Sequence, residues 1–262
     1  MRRKSQTDMA YGHVDLLISH LEETHLSVTE NLLPLLEHGE ITFELLWALF
    51  RSNQIIFTEC RGTGEPQCFK YDSGEFVTDQ DGQRFRIRGR TFNYNGERFG
   101  EASIQRDIAM FQGRKRIEDL DVLPLTYHPN EHDIRVRLVQ CGRKFIQLMG
   151  THHRHYHGSA FTYIKGDLVR FDIKGRIMLD AKFFREMNPN HFQPKIDNSV
   201  HSLEGFFATG ISLAEDVEPN VFDSASPSLL TEEDLLRCNA TVPGFSFSDK
   251  KWREFPFLQS LL

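Results

Sequence analysis

Apolar positions change their spacing twice along the chain. Over the first fifty residues they recur every three or four positions. Val14, Leu17, Ile18 and Leu21 form one stripe, and Thr29 to Glu37 carries a second. That spacing places apolar side chains on one face of a helix. Pro34 predicts a break or a start in the second run, because proline lacks the N–H that a helix interior uses. Thr42 to Phe50 is apolar almost throughout, which predicts a buried helix rather than an exposed binding helix.

From Gln54 the period drops to two. Gln54–Thr58, Gln67–Tyr71, Arg84–Tyr94 and Arg98–Ile104 read as strands. Arg61–Pro66 reads as a loop, Asp81-Gly82 as a turn, and Asn95-Gly96 as a hairpin. Helical spacing returns at Asp133–Met149, with Leu138, Cys141, Phe145 and Met149 on one face and Gly150 placed to end it. Two more hairpins are expected, turning at Lys165-Gly166-Asp167 and at Lys174-Gly175. The short helix Ala181–Met187 follows.

Tight turns, not helical crossovers, join these strands, so they pair antiparallel. The fold class is therefore α+β: N-terminal helices, an antiparallel meander or small barrel with a packed helix, then a largely irregular stretch. The expected divisions are a helical segment at 8–53, an α+β domain at 54–187, an irregular linker at 188–229 and a junction segment at 230–262. The linker is rich in Pro, Asn, Ser and acids. Thr231 opens the last segment as a helix N-cap.

Composition changes the picture in three ways. The chain has 22 Phe among 262 residues, which predicts an aromatic core. A net charge of -6 argues against bulk electrostatic binding of nucleic acid. Cys60, Cys68, Cys141 and Cys238 include no C-x-x-C pair, and a chain this long needs no disulfide. They read as reduced thiols in a cytoplasmic or nuclear setting. No apolar run approaches the roughly 18 residues of a membrane span. The basic start Met1-Arg2-Arg3-Lys4 is followed by no hydrophobic signal region and reads as a solvated tail.

The common catalytic signatures are missing. No Gly is followed by Lys, so the phosphate-binding G-x-x-x-x-G-K-[ST] loop does not occur. Neither H-E-x-x-H nor G-x-S-x-G occurs. Arg61-Gly62-Thr63-Gly64-Glu65-Pro66 has glycines but ends in an acid and a proline, and reads as a plain turn. Two clusters carry candidate chemistry. In a strand, His153, His155 and His157 of the His152–His157 run share a face, where three imidazoles with water or His128 could hold zinc. The plain reading is a run of partly exposed histidines. Arg84, Arg86, Arg88 and Arg90 alternate with apolar residues and form a basic stripe, an anion-binding surface on one reading. On the other, the stripe is a solvated strand face paired with neighbouring acids such as Glu97 or Glu101. Arg114-Lys115-Arg116 reads as a solvated loop.

Several stretches in a fixed order also carry a family likeness. Glu37-His38-Gly39-Glu40-Ile41-Thr42 leads into Leu45-Leu46-Trp47-Ala48-Leu49-Phe50. Phe111-Gln112-Gly113 precedes Pro124-Leu125-Thr126-Tyr127-His128-Pro129, then Cys141-Gly142-Arg143-Lys144-Phe145. Arg176-Ile177-Met178-Leu179-Asp180, Met187-Asn188-Pro189-Asn190 and Thr241-Val242-Pro243-Gly244-Phe245-Ser246 follow. From about Tyr11 to Phe255 the chain resembles the uncharacterised N-terminal domain of large filamentous-fungal AAA-type ATPase-like proteins. The resemblance implies a non-catalytic recognition or regulatory region, whose partner is a protein substrate or adaptor. ATP and Mg would belong to an ATPase core fused beyond it. His155 and His157 depart from the family pattern. The chain stops at Leu262, where that core is expected to begin. No enzyme activity, cofactor or membrane is expected of the chain itself. A metal-dependent hydrolase or metal-binding protein, and an anion- or nucleic-acid-binding module, are the alternatives.

Overall fold

A computed structural model of the chain describes residues 28–80, 82–189 and 230–256, with positions 14, 16, 18–20, 26 and 196. Leu17 and Leu21 of the first stripe, Asp81 and most of the expected linker lie outside these residues. Residues 28–37 form helix α1. Pro34 does not interrupt it. Its ring is exposed, so the helix forgoes one solvent-side hydrogen bond. The Pro34 carbonyl still accepts from the His38 N–H at 3.3 Å. Gly39, at φ +67°, ends the helix in the left-handed region.

The run Thr42–Phe50 is buried but is not one helix. Glu40–Thr42 is a strand (β1), Phe43–Leu45 a 3-10 turn, and Leu46–Leu49 a single α-turn (α2). β1 is held extended by antiparallel pairing with Arg114–Arg116 (β6), so the basic run expected as a loop is a short strand. Phe43, Leu46 and Leu49 are buried and Trp47 is exposed.

β2 (Ile55–Glu59), β3 (Pro66–Asp79), β4 (Gly82–Tyr94) and β5 (Phe99–Ala109) form the expected meander. β7 (Val122–Pro124) adds beside β2, giving the order β5-β4-β3-β2-β7. β3 runs well past Tyr71, where the sequence alternation fails. The register shifts between Tyr71 and Ser73, and such a bulge moves later side chains out of period. The β4–β5 hairpin closes on the pair Tyr94 and Phe99, and Asn95 shapes its loop. The Asn95 Oδ1 accepts the N–H groups of Glu97 and Arg98 at 3.0 and 2.9 Å.

α3 (Glu131–Gln147) leads to β8 (His152–Ile164) and β9 (Asp167–Leu179). Lys165 and Gly166, at φ +54° and +94°, turn that hairpin as expected. Lys174-Gly175 does not turn. β9 pairs without a break along β8, with Gly175 opposite Tyr156. The glycine takes φ +149° inside the strand, a local bend that the long ladder absorbs. α4 (Ala181–Met187) starts on Asp180, whose side chain accepts the Phe183 N–H at 2.7 Å.

The segment expected as a junction is part of the fold. α5 (Glu232–Leu236) begins with a capping box between Thr231 and Asp234. β10 (Thr241–Ser246) and β11 (Lys251–Pro256) then join β8 and β9 in a closed barrel of order β10-β11-β8-β9. Two cores result. The sheet core holds Phe69, Phe85, Ile87 and Phe43; the barrel core holds Tyr156, Ile177, Phe255 and Val242. α3 serves both, with Ile134 and Leu138 in the first and Cys141 and Phe145 in the second.

Candidate functional site

The arginine stripe lies on the outward side of β4, in the interior of the sheet, where both neighbouring strands supply acids. Arg86 and Arg84 reach Asp107 on β5 at 3.2 and 3.4 Å, and Arg84 also pairs with Asp79. Arg88 reaches Glu75 at 2.6 Å. Arg90 donates to Asp72 and to Glu101, each at 2.8 Å. Asp72 is the residue at the β3 bulge, which turns its carboxylate toward Arg90. The four guanidiniums thus form a charge ladder with the flanking strands, the paired arrangement that cross-strand geometry favours. Glu97, the other acid named from the sequence, pairs with Arg185 instead.

His153, His155 and His157 share the outward face of β8, as the alternation requires. They do not converge. His155 stands opposite Arg176 and His157 opposite Lys174, so cations neighbour the second and third rings. His153 leans on Phe247 with centroids 6.4 Å apart. His128 packs at a tilt against Phe57 of β2, with centroids 4.4 Å apart, away from the barrel. Among the described residues no group of three His, Cys, Asp or Glu side chains is placed to hold a metal ion.

The same barrel face carries a feature that sequence reading missed. Cross-strand pairing sets His153, Met178, Phe245 and Trp252 side by side across β8, β9, β10 and β11. Phe247 packs edge-on against Phe245 at 5.6 Å, and Phe245 against Trp252 at 5.5 Å. From α4, Phe184 and Phe183 meet Trp252 at 5.4 and 6.0 Å. Six rings, His153 among them, therefore form one contacting cluster that branches at Trp252 on the outside of a closed barrel. Phe183 and Phe247 are 44% and 43% exposed, and Met187 at the end of α4 is 59% exposed. Cations border the rings on one side: Arg176 lies over Phe247 at 5.9 Å, and Lys174 is exposed two residues along the same face of β9. Phe245 and Phe247 sit two apart, a strand-face signal visible in the sequence. Their neighbours come from separate elements, so the patch as a whole is not.

Residues 31–129 match the model of a domain of unknown function, DUF7025. That span contains the whole five-stranded sheet with β1 and β6, and stops before α3 and the barrel. No curated protein and no solved structure matches the chain. The aromatic face lies outside the matched span.

Proposed function

We propose that this chain is a non-catalytic recognition and regulatory region, and that the aromatic face of the barrel holds an acidic, apolar-containing segment of a protein partner. One observation carries the reading: six contacting rings, three of them exposed and three half-buried, form one outward face with Arg176 against it, on a chain of net charge -6. Exposed apolar patches rimmed by polar groups mark interaction sites, and aromatic and arginine side chains dominate binding energy there. The cationic border selects an acidic partner by charge complementarity. Following the sequence resemblance, the region is the recognition part of a fungal AAA-type ATPase-like protein, acting in the cytoplasm or nucleus. ATP and Mg act on a separate core, and the bound protein is a substrate or adaptor. The unknown-function match neither adds to this nor opposes it.

Trp252 reports on the face directly. In a Trp47→Phe background, a Glu-rich peptide carrying Leu and Phe residues is expected to shift its fluorescence saturably. Phe247→Ala and Arg176→Glu are each expected to weaken that response by about tenfold or more, the scale of an interface hot spot. An unchanged response in Arg176→Glu, or tighter binding of single-stranded DNA than of the peptide, overturns the reading. Micromolar Mg-ATP binding to the chain in calorimetry overturns its non-catalytic part.

A further inference from the structure

The arginines of β4 each face a carboxylate. Three others, gathered around the loop between β2 and β3, face none among the described residues. Arg106 lies on β5 between Ile104 and Ile108, on the side turned toward the core. Its Nη2 donates to Gln67 Oε1 and its Nη1 to the Gln105 carbonyl, both at 2.9 Å. Its Nε is buried without a hydrogen-bond partner. Burial holds this guanidinium below its ordinary pKa, and the nearby charge of Arg61 pushes the same way. Arg61 itself is exposed on the loop. The backbone carbonyls of Gly62 and Arg61 accept from Arg170 of β9, at 3.0 and 3.4 Å. The loop is locked against the barrel at this point. A Cβ on Gly62 would fall 2.2 Å from the buried Phe161 ring, so a larger residue there would have to displace that ring. Cys60 and the exposed Tyr163 lie within electrostatic reach of Arg106. The loop acid Glu65 is engaged by Arg137 of α3.

Such an arrangement is unfavourable by itself. Two exposed guanidiniums, Arg61 and Arg170, stand beside a half-buried one, Arg106, that lacks a counter-charge. A tetrahedral oxyanion supplies both the charge and the acceptors, and guanidinium forks match its geometry. We propose that the seam between this loop, β5 and the β8–β9 hairpin is a binding site for a phosphate group, with Arg61, Arg106 and Arg170 as its cationic wall and Tyr163 as a neutral donor. The β4 ladder does not serve, because its arginines are already neutralised. The loop that reads as a plain turn in the sequence thereby gains a role from what folds onto it.

The test uses the full chain at low ionic strength, with melting temperature and calorimetry as readouts. Inorganic phosphate is expected to raise the melting temperature saturably, and chloride of equal ionic strength is not. Arg61→Gln, on the exposed loop, keeps the fold and is expected to lose phosphate affinity by about tenfold, the scale of one charge-assisted hydrogen-bond pair. Arg106→Gln is expected to do two things at once: raise the melting temperature of the unliganded protein, by removing the unpaired charge, and abolish the phosphate increment. Arg88→Gln is the control and leaves the increment intact. A phosphoserine peptide binding more tightly than inorganic phosphate identifies a phosphorylated side chain as the source; the reverse order identifies the free ion. Absence of a saturable phosphate effect, or its retention in both Arg61→Gln and Arg106→Gln, overturns the proposal. So does its loss in Arg88→Gln alone.

Discussion

Glu101 is 7% exposed and accepts from two guanidiniums, Arg90 at 2.8 Å and Arg237 at 2.9 Å. Arg237 is 2% exposed, pairs also with Asp234 at 2.7 Å, and lies over the Phe92 ring at 4.7 Å. The network ties α5 to the β4–β5 hairpin. Burial alone raises the Glu101 carboxyl. The hydrogen bonds and charges of Arg237 and Arg90 outweigh it, and the group titrates below its ordinary value of 4.5. Asp234 behaves alike below 3.8: burial raises it, while Thr231 and Arg237 lower it by more. A depressed carboxyl adds stability that is full above the unfolded value and fades as pH falls through the folded one. Stability is therefore expected to decline as pH drops below about 4.5, the ordinary value of the Glu101 carboxyl. Glu101→Gln removes one of the two carboxylates on each guanidinium and is expected to cost about 1–3 kcal/mol at neutral pH. Urea unfolding at pH 7 and pH 4 checks both points, since the variant loses the part of the acid dependence that Glu101 supplies. The pairing of β4 arginines with neighbouring acids was legible from strand alternation, and Glu101 was among the acids named. Asp72 was not, because its position depends on a bulge that no local pattern announces.

At the scale of elements, α3 and α5 pack backbone to backbone. A Cβ on Gly142 would fall 2.2 Å from the Leu235 carbonyl oxygen, which is backbone and cannot swing aside. Gly142→Ala is expected to force the two helices apart and destabilise by about 1–3 kcal/mol, although alanine favours an isolated helix. A lower urea midpoint with unchanged slope is the expected result; a midpoint at or above that of the parent contradicts the packing. Thr231→Ala, which removes only the cap of α5, costs about 0.5–2 kcal/mol. Capping and turn chemistry were readable because they are local: Thr231, Asn95 and Lys165-Gly166 each act within a few residues. The crossing of α3 and α5 was not readable, because it joins residues far apart in sequence. Lys174-Gly175 failed for the opposite reason. A local turn signal was overridden by a partner strand paired along the whole length of β9.

For the molecule as a whole, the two cores leave the thiols in distinct positions. Cys68, Cys141 and Cys238 are 0%, 1% and 3% exposed. Burial pushes all three upward, Cys141 to about 12. Cys60, on the loop beside Arg61, is partly open and unpaired. A thiol reagent at pH 8 is expected to label one cysteine rapidly and the other three only on unfolding. Two or more fast thiols in the native protein contradict this arrangement of cores. Among the described residues no helix is long and apolar enough to cross a membrane. The antiparallel α+β class was legible from the turns, and both a meander and a barrel are present. What the sequence concealed was how the barrel closes. β8 and β9 pair with β10 and β11, yet Leu179 and Thr241 are separated by the entire stretch expected as linker. On a ribosome adding roughly 5–20 residues per second, the β8–β9 hairpin emerges on the order of 3–12 seconds before the strands that complete it. For that interval two strand edges lie open on the nascent chain, the period in which a chaperone, or the same hairpin on a neighbouring polysome chain, competes for them.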